Sequence, residues 1–390
     1  MKCFFYAVKL LILAFLYANS AHADELRLGA ERTHEYFPKL EGKSIGLVAN
    51  QTSLVNDVHL LDTLLSSGMS VKRVFAPEHG FRGDHSAGAH VEDDTDQETG
   101  TPVVSIYGKN RRPNPEHLND LDVIIFDIQD VGARFYTYIS SLHYVMEEAA
   151  KQDVEVMVLD RPNPNGHFID GPVLEEEFSS FVGMHPVPVV HGMTVGEYAK
   201  MINGEGWLEG DLKSNLSVIP NENYSRYEEY KLPVPPSPNL PTIESIYLYP
   251  SLCFFEGTPI SVGRGTDYPF EVIGKPGFEK GDYSFTPQSI PGKAENPPHK
   301  GKECRGFKLT HFANNFIRPA GKLYLKWLIS FYEECNNQEE FFTDFFDLLA
   351  GTDELRKQIV SGKSAEEIRE SWEEDLIKFR TVRNYYLLYP

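Results

Sequence analysis

The densest group of reactive side chains follows a short apolar run. Val123-Ile124-Ile125-Phe126 gives way, within ten positions, to Asp127, Gln129, Asp130, Gly132, Arg134 and Tyr136. Two carboxylates, an amide, a guanidinium and a phenol that close together suit acid–base chemistry on a polar ligand. A second group is Pro77-Glu78-His79-Gly80-Phe81-Arg82-Gly83, where a proline and two glycines shape a loop presenting Glu78, His79 and Arg82. Further polar groups are Asn50-Gln51-Thr52-Ser53, Asp160-Arg161-Pro162-Asn163 and His191-Gly192. Each has an ordinary structural use as well. Asp127 can simply end a strand, Asp130 can cap a helix, the arginines can form ion pairs, and the histidines can bond to loop backbone.

The elements that must position these groups are strands. Residues 45–49, 71–76, 123–126, 154–159 and 187–190 read as strands, and the apolar, β-branched character of 123–126 and 154–159 predicts that those two are buried. Helical stretches return the chain at His59–Leu65 and about Tyr138–Lys151, and Thr194-Val195-Gly196-Glu197 is a capping box that starts another. Alternating strand, polar loop and helix is the pattern of a doubly wound parallel sheet. Asn50, Glu78, Asp127, Asp160 and His191 then stand at five successive strand ends, and these are expected to converge on one edge of one sheet as a cleft.

Other chemistries lack support. No G-x-G-x-x-G follows the first strand, and neither a phosphate-binding G-x-x-x-x-G-K-[ST] nor a G-x-S-x-G elbow is present. Without C-x-x-C or H-E-x-x-H, a zinc site has no sequence basis. The net charge of −20 argues against nucleic acid and anionic membrane surfaces as partners. Residues 1–23 have a charged start, a short apolar run and an Ala-His-Ala ending, which predicts a secretory signal peptide cut after Ala23. The mature chain is then expected to be exported, periplasmic or secreted, with no membrane insertion. Cys253, Cys304 and Cys335 remain, enough for one disulfide at most.

Two domains with separate cores are expected, over residues 24–230 and 231–390. Five prolines in Leu232–Pro241 form a stiff strap between them, carrying Asn239. Beyond it, Ser261-Val262-Gly263-Arg264-Gly265 reads as a glycine-rich loop presenting Arg264, and residues 275–305 as an irregular excursion. Lys322–Glu333, Glu339–Leu349 and a helix from Ser364 to about Phe379 complete a smaller α+β half.

Taken together, seven segments resemble the exo-β-N-acetylmuramidases, glycoside hydrolases that act on bacterial peptidoglycan. They are Gly46–Thr52, Pro77–Gly83, Asp127–Tyr138, Asp160–Pro164, Val190–Thr194, Pro236–Thr242 and Gly263–Thr266. The resemblance implies a Rossmann-like first domain, a second α/β domain and an active-site cleft between them. It also implies exo-acting release of N-acetylmuramic acid from non-reducing ends of peptidoglycan fragments, with no metal or cofactor.

Glycoside hydrolysis ordinarily uses two carboxyl groups flanking the scissile bond. Glu78 is the first choice for general acid, with Asp127 as second carboxylate and Asp130 as its alternative; substrate-assisted attack by the acetamido oxygen is also open. Arg134, Arg161 and Arg264, in that order, are candidates to hold the lactyl carboxylate of muramic acid. Asn50, Gln129, Tyr136, Asn163, His191 and Asn239 are candidates to read hydroxyl or acetamido groups, with His79 and Arg82 beside Glu78. Two other readings compete. One is a non-catalytic periplasmic binding protein using the same cleft; the other is a metal-dependent hydrolase built on Glu78, His79, Asp127 and His191.

Overall fold

The uninterrupted apolar runs do form the buried strands. The computed structural model describes residues 25–78, 80–81 and 93–390, so the expected signal peptide, His79 and Arg82 lie outside the described residues. Strand β1 (Ser44–Ala49) is followed by a hairpin of β2 (Leu54–Val55) and β3 (Val58–His59), and then by β4 (Ser70–Ala76), β5 (Asp94–Thr95), β6 (Pro102–Ser105) and β7 (Val123–Asp127). Next come β8 (Glu155–Leu159), β9 (Asp170–Val173), β10 (Pro188–Val190) and β11 (Leu216–Ile219).

Seven of these strands make one sheet in the order β11-β8-β7-β1-β4-β6-β5, parallel throughout except for β5 at the edge. Numbered by chain order, its parallel strands run 6-5-4-1-2-3, the Rossmann order, and the direction of winding reverses between β1 and β7. The alternation of side chains assigns the faces. Ile45, Leu47, Val123, Ile125, Met157 and Leu159 point to one side, covered by helices Thr33–Leu40 and Leu60–Ser66. Val48, Ile124, Phe126, Val156 and Val158 point to the other, under helices Tyr138–Lys151 and Val195–Glu205. Gly46 shares that second face because a Cβ there would meet Leu121 at 2.7 Å.

Three expectations need correction in this half. Residues 187–190 do not join the sheet: β10 pairs antiparallel with β9 in a separate ribbon, so His191 is not at a strand end of the main sheet. The sixth parallel strand is instead β11, whose partly buried Leu216-Ser217-Val218 lacks a continuous apolar run. Nor do the halves have separate cores. The cluster under Tyr138–Lys151 runs on through Tyr249, Phe254, Phe270, Phe331, Phe346 and Phe379.

The second half holds an antiparallel sheet of β12 (Val272–Lys275), β13 (Tyr283–Phe285) and β14 (Cys304–Lys308), in the order β12-β14-β13, so residues 275–305 are partly ordered by pairing. Thr242 and Ser245 form a capping box for helix Ile243–Leu252. The helix begun at Ser364 stops at Glu370 and a second runs from Glu373 to Arg383. At the break, Ser371 Oγ donates to the Ile368 carbonyl and so competes for a helix acceptor. Cys253, Cys304 and Cys335 are all free thiols.

Candidate active site

In a sheet of this winding, ligands bind outside the carboxyl ends of the strands at the reversal point. Here that is the gap between Asn50, after β1, and Asp127, at the end of β7. The two loops are stitched together there. Asn50 Oδ1 accepts from Thr52 N at 2.9 Å, and Thr52 Oγ1 accepts from Gln129 N at 3.0 Å. Asn50 Nδ2 donates to the Tyr138 hydroxyl at 3.0 Å, at the start of the long helix that follows β7.

Glu78, after β4, sits beside this gap. Tyr107 Oη donates to its Oε1 at 2.8 Å and Thr137 Oγ1 donates to its Oε2 at 2.9 Å. Each hydroxyl can turn from donor to acceptor when the carboxyl takes a proton, so this clamp fixes the carboxyl plane in both charge states. Gln51, Glu78, Tyr107 and Thr137 are all partly open to solvent. Sequence reasoning did not single out Tyr107 and Thr137. Tyr107 follows the end of β6 as Glu78 follows β4, and that placement was the available signal.

The proline strap closes the edge. Tyr136 Oη donates to the Pro236 carbonyl at 2.8 Å, and Gln51 Nε2 donates to the carbonyls of Pro235 at 3.1 Å and Pro236 at 3.3 Å. Asn239 is buried and its Nδ2 donates to the Lys293 carbonyl at 2.9 Å, tying the strap to the 275–305 segment. The strap is thus part of the site's wall rather than a plain connector.

The other two predicted carboxylates are not open. Asp127 is fully buried in a bidentate ion pair, with Arg161 Nε at 2.6 Å from Oδ1 and Nη2 at 2.9 Å from Oδ2. Asp130 is buried too. Its Oδ1 accepts from Gly132 N at 2.6 Å, its Oδ2 has no partner, and burial pushes its pKa up to about 7. Gly132 is required in this turn: its φ is +76°, and a Cβ would lie 2.1 Å from Asn163 Oδ1.

The arginines expected to meet a ligand carboxylate are likewise engaged. Arg134 is buried and donates to the carbonyls of Pro172, Val187, Leu349 and Ala350, so it ties the two halves together. Burial lowers its pKa to about 9. Arg161 is held by Asp127, and Arg264 pairs with Glu256 at 2.6 Å. Asp160 accepts from Thr194 Oγ1 at 2.7 Å, Gly196 N at 2.7 Å and Tyr389 Oη at 2.6 Å, anchoring a helix start and the C-terminal segment.

Several predicted ligand readers lie behind this edge. Asn163 Nδ2 donates to the Met193 carbonyl at 2.8 Å, and Gln129 Nε2 to the carbonyls of Asp130 and Pro162. His191 is brought close by the bridge between Ala133 and Val190, and its Nδ1 accepts from Met193 N at 3.2 Å. Burial, with Arg383 and Arg134 nearby, lowers its pKa to about 3, which keeps the ring neutral. Among the described residues no group of three or more His, Cys, Asp or Glu is placed to hold a metal. Asp127 and His191 are turned to Arg161 and Met193 instead.

Comparisons with known proteins bear on the whole chain. Residues 45–244 match the N-terminal domain of the exo-β-N-acetylmuramidase NamZ family and residues 247–389 its C-terminal domain. The peptidoglycan β-N-acetylmuramidase NamZ of Bacillus subtilis is 41% identical over 375 residues, covering 91% of this chain and 89% of its own. Two crystal structures of DUF1343 family proteins from Bacteroides fragilis are similar. One has 46% identity and a TM-score of 0.88, the other 29% and 0.78, and each covers 94% of this chain and 99% of its own. The chain belongs to the exo-β-N-acetylmuramidase family.

Proposed function

We propose that this protein is an exo-acting glycosidase that releases N-acetylmuramic acid from the non-reducing ends of peptidoglycan fragments, with Glu78 as its general acid. The observation that carries the assignment is the Glu78 carboxyl, clamped by Tyr107 and Thr137 at the point where the sheet's winding reverses. Of the three predicted carboxylates it alone is partly open to solvent.

With Asp127 and Asp130 buried, the second catalytic group is the substrate's own acetamido oxygen. That oxygen bonds to the anomeric carbon as the bond from that carbon to the leaving oxygen breaks, and Glu78 gives its proton to the leaving oxygen. Water then attacks the same carbon while the Glu78 carboxylate takes the water's proton. Two inversions at one carbon leave the β configuration retained.

An arginine remains for the lactyl carboxylate. Arg111 is exposed, forms no ion pair among the described residues, and stacks at 4.3 Å on Phe181, whose ring neighbours that of Tyr107 at 6.2 Å. Its planar guanidinium can hold a carboxylate through two parallel bonds. We further propose that the protein works outside the cytoplasm after loss of residues 1–23, in cell-wall turnover.

The test is hydrolysis of a chromogenic β-N-acetylmuramide beside its N-acetylglucosamine analogue, with the product's anomeric configuration followed by proton NMR. Muramide-selective release with β product first supports the reading. Release of the α product first would refute acetamido participation, and no release at all would refute the activity.

A further inference from the structure

Away from the strand ends, a cavity of about 320 Å³ opens in the second half, within the size range of small-ligand sites. It is lined by Phe316, Lys322, Tyr324, Lys326, Arg369 and Glu370, among others, and includes none of the residues around Glu78. Phe316 is 46% exposed, unusual for so large an apolar ring. It lies on a π-helical turn, Ala313–Ile317, a form frequent at functional sites. The turn does not leave the ring loose. Phe316 stacks on Phe312 at 4.7 Å and 28°, and Tyr324 meets both rings edge-on, at 5.8 Å and 4.9 Å. The result is a rigid aromatic platform with its outer face open.

Three cations, Lys322, Lys326 and Arg369, line the cavity with two carboxylates, Glu366 and Glu370, although the chain as a whole carries −20. Arg369 is fixed by Asp170 and the Leu323 carbonyl. Lys322 forms no ion pair among the described residues. Lys326 pairs with Glu366 at 3.0 Å, but both side chains are more than half exposed, so a ligand carboxylate can exchange with Glu366 at little cost. An aromatic face suits the apolar C–H face of a sugar ring, and the lysines suit carboxylates attached to it.

We propose that this cavity is a second saccharide-binding site, which holds an acidic glycan strand of peptidoglycan away from the catalytic centre. The proposal rests on the muramidase reading for its choice of polymer. An exo-acting enzyme loses its substrate end at each release, and a remote anchor keeps the next end at high effective concentration. The gain falls on polymeric substrate only, because a single muramide cannot reach both sites.

The test compares the full-length mature protein with Phe316→Ala and with Lys322→Glu. Each is measured for co-sedimentation with purified insoluble peptidoglycan, for its rate on that material, and for kcat/KM on a small chromogenic muramide. The expected result is a loss of about fivefold or more in sedimentation and polymer rate for both variants. Their muramide kcat/KM should stay within about twofold of the parent. For Lys322→Glu, the difference from the parent should shrink as salt is raised, since an exposed charge is screened. Unchanged sedimentation and polymer rate in both variants would overturn the proposal, as would parallel losses on the small muramide in Lys322→Glu, which alters no packing. If the parent hydrolyses no muramide, the assigned activity fails, while the sedimentation comparison still decides the second site.

Discussion

Replacing Asp127 with Asn separates a structural carboxylate from a catalytic one. The native pair is fully buried and bidentate, and Arg161 makes one further bond, from Nη2 to the Leu54 carbonyl at 3.1 Å. The amide of Asp127→Asn would present one acceptor and one NH₂ group to a guanidinium that cannot lose its proton. The result is a buried cation without a counter-charge, which costs about 3–5 kcal/mol. That is a large share of the roughly 5–15 kcal/mol that holds a folded domain together. Arg161→Met should cost a similar amount, because it strands the Asp127 carboxylate. The double variant Asp127→Leu/Arg161→Met removes both charges, and an apolar pair of similar volume can be nearly neutral. Its urea midpoint should therefore lie well above those of the single variants. It should also hydrolyse a chromogenic muramide with kcat within about tenfold of the parent, since both side chains are buried and spent on each other. The reasoning is refuted if Asp127→Asn unfolds at the parent's midpoint while losing about a thousandfold in kcat. That pattern belongs to a carboxylate that takes part in the chemistry.

Other outcomes follow from the same contacts. Arg111→Ala should raise KM for the muramide about tenfold or more, as expected for a lost charge-assisted contact, and leave the slower N-acetylglucosamine analogue unchanged; equal effects on both substrates would remove Arg111 from carboxylate recognition. Tyr389→Phe deletes the 2.6 Å bond to buried Asp160 and the acceptor of Asn221 N, so denaturant titration should show a loss of about 1.5–3 kcal/mol, and an unchanged midpoint would contradict it. Stability should also fall as pH drops from 6.5 towards 4. Burial lowers the pKa of His143, His167, His185 and His191 below the ordinary 6.5, so each contributes stability that is present above that value and lost below it. Asp130 and Asp160, raised by burial to about 7 and about 6 from 3.8, act in the opposite sense, since their folded forms keep a proton that the unfolded chain gives up. The four histidines outnumber the two carboxylates, so protons are taken up on unfolding in this range, and a melting temperature that rises from pH 6.5 to pH 5 would contradict this balance.

The parallel strands were legible because burial on both faces demands unbroken apolar runs, as in Val123–Phe126. Strand β11 was not, because Leu216, Ser217 and Val218 are only half covered and their sequence carries no such run. The strand-end rule located Glu78, yet it could not say which polar residues would face outward. Asp127, Arg134 and Arg161 have the right types at the right loops, but their partners lie far off in the chain. Arg134 is bound by the Leu349 and Ala350 carbonyls, which belong to the other half. A contact of that length leaves no local signature. Thr137 carried one, immediately before a helix, but a threonine there reads as a cap. Its hydroxyl goes instead to Glu78, fifty-nine positions earlier. The shared core was hidden for a related reason: the strap's prolines announce a boundary, while the aromatic residues that bridge it are scattered from Tyr249 to Phe379.

The central claim is that Glu78 is the acid of a muramidase. It is tested most directly by comparing Glu78→Gln with the parent on a chromogenic β-N-acetylmuramide, with circular dichroism melts on both. Glutamine keeps the shape and can still bond to the Tyr107 and Thr137 hydroxyls, but it has no proton to give. The account predicts kcat lower by about 10²–10⁴ with a melting temperature close to the parent's. A variant that folds normally and retains the parent's kcat would contradict it.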